Sequence, residues 1–599
     1  MKKGISLITM IITIIVIIIL AGVIILNLTN NNPIDAANEA VRKNDIETIK
    51  EQIQLYKLSE TAKTNGNFDE TSMNGKVSDF IPGMTKYDDE ILIVNGKITF
   101  IGEDLDILDI IEELNGDQYL VEVGGIKHNK PNLSYLPAQT VKAVVWNNNN
   151  EESELSLLEA RLDKTWYNYS AKKWANIYTN NNGNKAYWVW IPRYAYKINN
   201  PHTQTAEKIE IKFLNGTSNE AADGSSIDGY IVHPAFSFGG KELSGIWVAK
   251  YEASSSDPNR IETDGTYVGA STGGGNTTAL QVRVLPNVYS WRNISTGNAQ
   301  TVSMNIASSN GSVGTSANVD THQMKNVEWG AVAYLSQSKY GEEPWNNPYG
   351  DTDDGSWKLK TGYAGTTKDS QPLKEGNQNL AQYNTTNGVK ASTTGNIYGI
   401  YDMAGGSWER TAAFIENGNI NITSHRKIEH IQNQKVLPQY AKYYDVYEPG
   451  DEEKEGATFY ALGGENLWNS VAPYNVSQAD NNLIRKRLSG ATYEKFANKN
   501  GDALYETSNS FSYHGKFTSG TENYEWLIDQ LRDSTLGAQF TQGWNGDYSL
   551  VGHAHLPWFN RGGLFYNGSG AGLFAFTGSS GNPYPVDSFR PVLVVGFSL

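Results

Sequence analysis

The chain has 599 residues, no cysteine and a formal net charge of −16. At roughly 100–200 residues per domain it is a multidomain chain. Without cysteine it has no disulfide framework, thiolate metal site or thiol nucleophile, and its acidic balance excludes a nucleic-acid binder, which neutralises phosphates with Lys and Arg. A hydrophobic fraction of 39% with 34 Tyr, 15 Trp and 58 Gly describes a folded chain rich in strands and turns.

The first predicted element is an apolar run. No residue from Ile5 to Leu28 is charged, and Ile5 to Leu26 as a helix would span about 33 Å against a hydrocarbon core of about 30 Å. Lys2 and Lys3 precede it, so the positive-inside bias puts the N-terminus in the cytoplasm and the rest of the chain outside. The expected localisation is the cell membrane, single-pass through residues 5–28, with an extracellular C-terminal part. A cleaved secretory signal has an apolar part of only about 7–15 residues, shorter than this run. Lys2, Lys3, Gly4, Ile5, Ser6, Leu7 and Ile8 resemble the leader and helix start of type IV prepilins. That resemblance implies processing between Gly4 and Ile5 by a prepilin peptidase, and pilin subunits as partners, with a pilus as the possible assembly. Thr9 stands where the family has its usual Glu.

Asn32 and Pro33 predict a helix start, and Ile34, Ala37, Val41, Ile46, Ile49, Ile53 and Tyr56 recur at spacings of three and four along an amphipathic face. The segment Glu90–Gly102, with Asn95-Gly96 between two β-rich runs, predicts a hairpin for that face to pack on. The expected boundaries are a leader and transmembrane helix at 1–30, a pilin-like helix and small sheet at 31–115, and a linker or small connecting unit at 116–165.

From Trp166 onward short aromatic strands alternate with polar loops: Tyr187–Ile198, Gly245–Ser254 and Phe589–Phe597. Lys325–Gly341 and Asn523–Gly537 predict two helices. The expectation is an α+β domain over 166–599 with its function on the loops. The segments YWVWIPRYAY, GIWVAKYEAS, MKNVEWGAVAYL, NIYGIYDMAGGSWERT, RGG (Arg561–Gly563) and SFRPVLV resemble, in order, the formylglycine-generating-enzyme (sulfatase-modifying factor) family, which has a C-type-lectin-like fold. The chemistry does not carry over, because the enzyme resembled holds copper with its own cysteines. The expectation is therefore no catalytic residue, no metal and no cofactor.

The weaker candidates read as structural. A related branch holds iron with histidines, but the nine histidines here are scattered; His553 and His555 alone would share a strand face, and two exposed loop imidazoles is the simpler reading. Asp351, Asp353 and Asp354 before Gly355 are oxygen-rich enough for calcium, yet lack the alternation and distal Glu of an EF-hand loop and read as a solvated turn. Gly406 and Arg410 around Glu409 replace the family's Asn and second Trp. Arg590 is expected to be a buried structural arginine paired with a carboxylate.

Residues 543–587 are dense in Gly, Ser, Asn, Tyr, Phe and Trp, the mixture that binding loops use. This arrangement also resembles the variable proteins of diversity-generating retroelements. The resemblance implies fixed positions such as Gly562, Gly563 and Phe574, and interchangeable ligand-binding positions at Leu564, Tyr566, Asn567, Gly570, Ala575, Thr577, Ser579, Ser580, Asn582, Tyr584 and Val586. The function expected is a surface-displayed adhesin or minor pilin-like protein binding an extracellular protein or glycan. The alternatives are a metal-dependent enzyme with altered chemistry or a structural pseudopilin.

Overall fold

The computed structural model describes residues 33–116, 119–201, 206–257, 275–316, 318–343, 361–362, 382–416, 421–424, 429–449, 483–489, 492–495, 501–504, 506–507, 512–519, 522–529, 544–548, 556–564 and 570–596. The chain divides into two units, residues 1–118 and 119–599.

In the first unit a helix runs over Pro33–Lys63, opening on a proline whose missing N–H costs nothing in the first turn. Ile46, Ile49 and Ile53 are at most 2% exposed, each burial contributing roughly 1.5–3 kcal/mol. The buried stripe is shorter than the spacing suggests, since Val41 is 55% exposed and Tyr56 turns aside to meet Phe80 edge-on at 5.3 Å. Strands Ile91–Val94 and Lys97–Phe100 form the expected hairpin, with Asn95 and Gly96 at φ 50° and 69°, the left-handed pair that matches a two-residue turn to the strand twist. A second helix, Leu105–Asn115, is capped by Asp104 and buries Ile107, Leu108, Ile110 and Ile111. Arg42 reaches Asp104 and Asp106 at 3.3 and 2.8 Å; such surface pairs contribute about 0–1 kcal/mol, so the apolar faces hold the unit together.

The second unit is α+β with many short strands and loops, built on two seven-stranded sheets. The first, antiparallel throughout, runs in the order Val319–Gln323, Pro591–Val595, Gly245–Ala249, Asn184–Pro192, Asn176–Asn181, Val141–Trp146, Glu152–Leu155. The stretch 116–165, expected as a linker or small connecting unit, thus supplies two strands of this sheet. Pro591–Val595 and Gly245–Ala249 are buried at every position, which is why they read as continuous apolar runs rather than alternating ones. Trp190 and Trp247 pair across the sheet with ring centroids 5.1 Å apart. The second sheet centres on Trp408–Ile415, which pairs parallel to Asp445–Pro449 and Asp587–Phe589 and antiparallel to Trp558–Gly562.

Helix Asn326–Ser336 is buried on all sides, so its apolar spacing is blurred, as befits a helix enclosed by core. Gly330 lies directly on the 501–502 backbone: a Cβ there would meet the Gly501 carbonyl and come within 2.8 Å of Asp502 Cα. Gly330→Ala should destabilise the unit by about 1–3 kcal/mol, the range for overpacking a close-packed site, read as a lowered melting temperature.

Two expectations are corrected. The helix predicted over Asn523–Gly537 is a strand, Glu522–Asp529, paired residue for residue with Ser512–Ser519; Tyr524, Trp526 and Ile528 alternate at period two, and that period rather than the helical one governs. The C-type-lectin-like domain behind a transmembrane or pilin helix is also corrected. Among the described residues no sheet closes or curls on itself, and no helix is long and apolar enough to cross a membrane. The run Ile5–Leu28, with the processing residues Gly4 and Ile5, lies outside the described residues.

Candidate functional site

The segment expected to bind ligand is largely core. Leu564, Ala575 and Val586 are at most 3% exposed and pack with Trp408 and Tyr548. Gly570 and Ser579 are buried, Thr577 and Ser580 half-buried, and only Asn582 and Tyr584 are exposed; Tyr566 and Asn567 lie outside the described residues. The buried Arg410 explains the inward turn. It forms an ion pair with Asp587 at 2.7 Å, donates to Ser579 Oγ at 3.1 Å and bonds the Asn582 carbonyl, fastening this backbone to the core. His553, His555, Asp351, Asp353, Asp354 and Gly355 also lie outside the described residues, and among the described ones no group of three or more His, Asp or Glu is placed to hold a metal ion.

Arg590 is the buried structural arginine that its setting in the sequence implies. Its Nε donates to Glu409 Oε2 at 2.9 Å and a terminal nitrogen pairs with Oε1 at 2.5 Å, while the carbonyls of Ala249 and Tyr401 accept at 2.7 and 2.8 Å. Two further carboxyls share this interior: Glu252, which accepts from the Ser407 N–H at 2.6 Å, and Asp402, which accepts from the Gly362 N–H at 3.0 Å. Burial, only partly offset by Arg590, pushes Asp402 up to about 6 and Glu409 up to about 7. Burial and the neighbouring carboxylates Glu409 and Asp402 raise Glu252 well above the usual range. These four side chains are at most 4% exposed, and the centre joins strands.

A cleft of about 410 Å³ opens elsewhere on the second unit, within the roughly 300–1,000 Å³ of small-molecule sites. Arg193, directly after strand Asn184–Pro192, forms one wall although only 1% exposed. Its guanidinium donates to the Ser218 and Phe236 carbonyls at 3.0 Å each, and to Asn219 Oδ1 and Glu242 Oε2 at 2.7 Å each. Glu242 comes from the hairpin Ser237–Phe238 and Lys241–Glu242, whose turn residues Gly239 and Gly240 have φ 60° and 80°, conformations that glycine adopts without strain.

The opposite wall is set by helix Asn326–Ser336. Lys325 is its N-cap residue, and Asp445 accepts from the Val327 N–H at 2.8 Å, placing a carboxylate at the positive end of the helix. Glu328 sits 3.3 Å from Lys325 Nζ and 3.0 Å from His322 Nε2. Burial pushes Glu328 up, but the charges of Lys325 and His322 and their hydrogen bonds outweigh it and bring it to about 2. Lys442 completes the rim, donating to Asp320 at 2.9 Å. The Phe238 ring stacks on His322 at 5.0 Å and lies 4.9 and 5.5 Å from the Lys442 and Lys325 ammonium groups. The cleft thus presents three cations, each held by a carboxylate, and its donors and acceptors are oriented before any ligand arrives.

None of these groups was singled out in the sequence as a site. The available signals were Arg193 inside an otherwise apolar run, which demands buried partners, and the Gly239-Gly240 turn facing it in space but not in sequence.

No family model matches the chain, and no curated protein matches it. With no family match, no cysteine for a lectin-type disulfide architecture, and no membrane-crossing helix among the described residues, the resemblances to type IV pilins, formylglycine-generating enzymes and retroelement variable proteins do not stand. The expected single-pass localisation, the membrane, pilin, prepilin-peptidase and extracellular protein or glycan partners, and the surface-displayed binding role have no support among the described residues.

Proposed function

We propose that the second unit binds a small polar molecule in the cleft between Arg193 and Lys442, and that it binds without transforming it. The observation that carries this reading is that each cation of the lining is ion-paired, Arg193 with Glu242 in the lining, Lys325 with Glu328 and Lys442 with Asp320 behind it, so the cleft carries no large net charge. Such a surface suits a ligand that both donates and accepts hydrogen bonds and is itself nearly neutral, such as a polyol or an amino-acid zwitterion. A strongly charged ligand would have to displace a partner already in place. His322 and His430 are at most 1% exposed and do not line the cleft, which supports binding over catalysis by either, since a general base needs hydrogen-bond reach to its substrate.

The test is calorimetric titration of the chain with a panel of polyols, amino acids and dicarboxylates, repeated on Lys442→Met. Asp320 keeps the Tyr443 hydroxyl as a donor at 2.8 Å, so the variant should fold. Losing one charged hydrogen bond should weaken binding roughly ten- to hundred-fold. A compound from the panel that binds equally well to both proteins would place its site elsewhere.

A further inference from the structure

On the Arg193 wall of the cleft a donor and an acceptor stand side by side. Arg193 Nη1 donates to Glu242 Oε2 and Nη2 to Asn219 Oδ1, both at 2.7 Å. The two nitrogens belong to one planar fork, so the Asn219 amide and the Glu242 carboxylate are held next to each other. Both side chains line the cleft and are exposed. A guanidinium has only donors; it therefore fixes the Asn219 amide with its oxygen toward Arg193 and its NH2 turned away. A carboxylate accepts at about four lone-pair sites, so bonding Arg193 does not exhaust Glu242. The backbone under both is set as well. The loop carrying Asn219 is closed by the Asn215 N–H, which donates to the Glu220 carbonyl at 2.8 Å, and by the Ser218 N–H, which donates to the Asn215 carbonyl at 2.9 Å. Glu242 stands opposite Ser237 in the register of its hairpin.

We propose that Asn219 and Glu242 select a ligand bearing a primary carboxamide: its carbonyl oxygen accepts from Asn219 Nδ2, and its NH2 donates to the Glu242 carboxylate. This selectivity rests on the cleft being a binding site and names the class of molecule the cleft takes. Because Arg193 fixes which of the two neighbours donates and which accepts, the best complement is a group whose own order is fixed in the opposite sense, and the edge of a carboxamide is such a group. A carboxylate of the same shape has no donor for Glu242 and is repelled by its charge. An ammonium group has no acceptor for Asn219. Hydroxyls rotate to donate or accept, so a polyol reads no order on this wall. The carboxamide is also neutral, in keeping with cations that already have their carboxylates. Among amino acids, glutamine carries this edge, and glutamate is its isosteric counterpart with two acceptors.

Calorimetric titration of the full chain with glutamine, glutamate, lysine and mannitol tests the pair, with Glu242→Gln and Asn219→Asp as variants. Each substitution keeps an oxygen for Arg193, and melting temperatures taken alongside check that the variants fold. The wild type should bind glutamine roughly ten- to hundred-fold more tightly than glutamate or lysine, the effect of losing one charged hydrogen bond. In Glu242→Gln the guanidinium turns the new amide's oxygen toward itself, the wall offers two donors, and the preference should invert toward glutamate. In Asn219→Asp the wall offers two acceptors, and lysine should bind more tightly than glutamine. An order of preference unchanged in both folded variants would overturn the carboxamide assignment, as would mannitol binding the wild type more tightly than glutamine does. If mannitol binds in that way and Lys442→Met weakens it, the cleft remains a binding site and only its selectivity is reassigned. Failure of every polyol, amino acid and dicarboxylate to bind the wild type would overturn the binding role and the selectivity together.

Discussion

Arg590→Met should cost the second unit about 3–5 kcal/mol, the range for removing one partner of a buried ion pair. The substitution keeps most of the side-chain volume and deletes only the donors. It strands Glu409, which is 1% exposed, and leaves the Ala249 and Tyr401 carbonyls without the guanidinium; a buried acceptor left unsatisfied itself costs about 1–3 kcal/mol. The damage should spread because Ala249, Tyr401, Glu409 and Arg590 lie in or beside strands of both large sheets. Since domains of this size are stable by only about 5–15 kcal/mol, denaturant titration should show the unit unfolding at much lower denaturant or not folding at all. Glu409→Gln is the informative companion. It keeps the side-chain shape but removes the carboxylate charge from Arg590, so it should also destabilise the unit. A variant of Arg590 that melts like the wild type would show that the pair holds nothing together.

The second large effect is on pH dependence, and its sign is opposite to that of ordinary surface-paired carboxylates. Asp402, at about 6, and Glu409 and Glu506, at about 7, are raised by burial. Each stabilises the fold fully below its ordinary carboxylate value, and that stabilisation is lost as pH rises through 6 to 7. Other groups oppose the trend, buried His128 and Glu328 among them. Buried His128 is lowered to about 4 by desolvation, so its contribution is present above its ordinary value and is lost as pH falls through about 4. Glu328, at about 2, is present above the carboxylate range and lost in strong acid. Stability should therefore be greater in mild acid than at about pH 7.5. Thermal melts from pH 3 to 8 measure it; a maximum at or above neutrality would contradict the burial of these carboxyls.

What the sequence disclosed and what it hid divide along a physical line. Local signals were legible: Asn95-Gly96 forms its turn, Ile46, Ile49 and Ile53 face a core, and the apolar runs at Gly245–Ala249 and Pro591–Val595 are buried strands. An arginine set in an apolar run requires a partner, and Arg590 finds Glu409 at a separation of 181 residues. Long-range facts were not legible. Loops and buried strands use the same Gly, Ser and aromatic residues, so Ala575 and Val586 read as exposed when the Arg410–Asp587 pair folds their segment inward. Composition cannot tell a binding loop from a core strand. The cleft was hidden for the same reason, since Arg193, Lys325 and Lys442 are far apart in sequence and only the fold brings them to one cleft.

The most direct test of the cleft is to fill it. Thr217 is exposed and lines the opening, so Thr217→Trp adds bulk at the mouth with little expected cost to folding, surface changes usually costing within about 0.5 kcal/mol. Calorimetric titration of both proteins with the tightest-binding compound of the polyol, amino-acid and dicarboxylate panel should give saturable binding to the wild type and none to Thr217→Trp at an unchanged melting temperature. Equal binding to the two proteins, or no binding of any panel member to the wild type, would contradict the assignment.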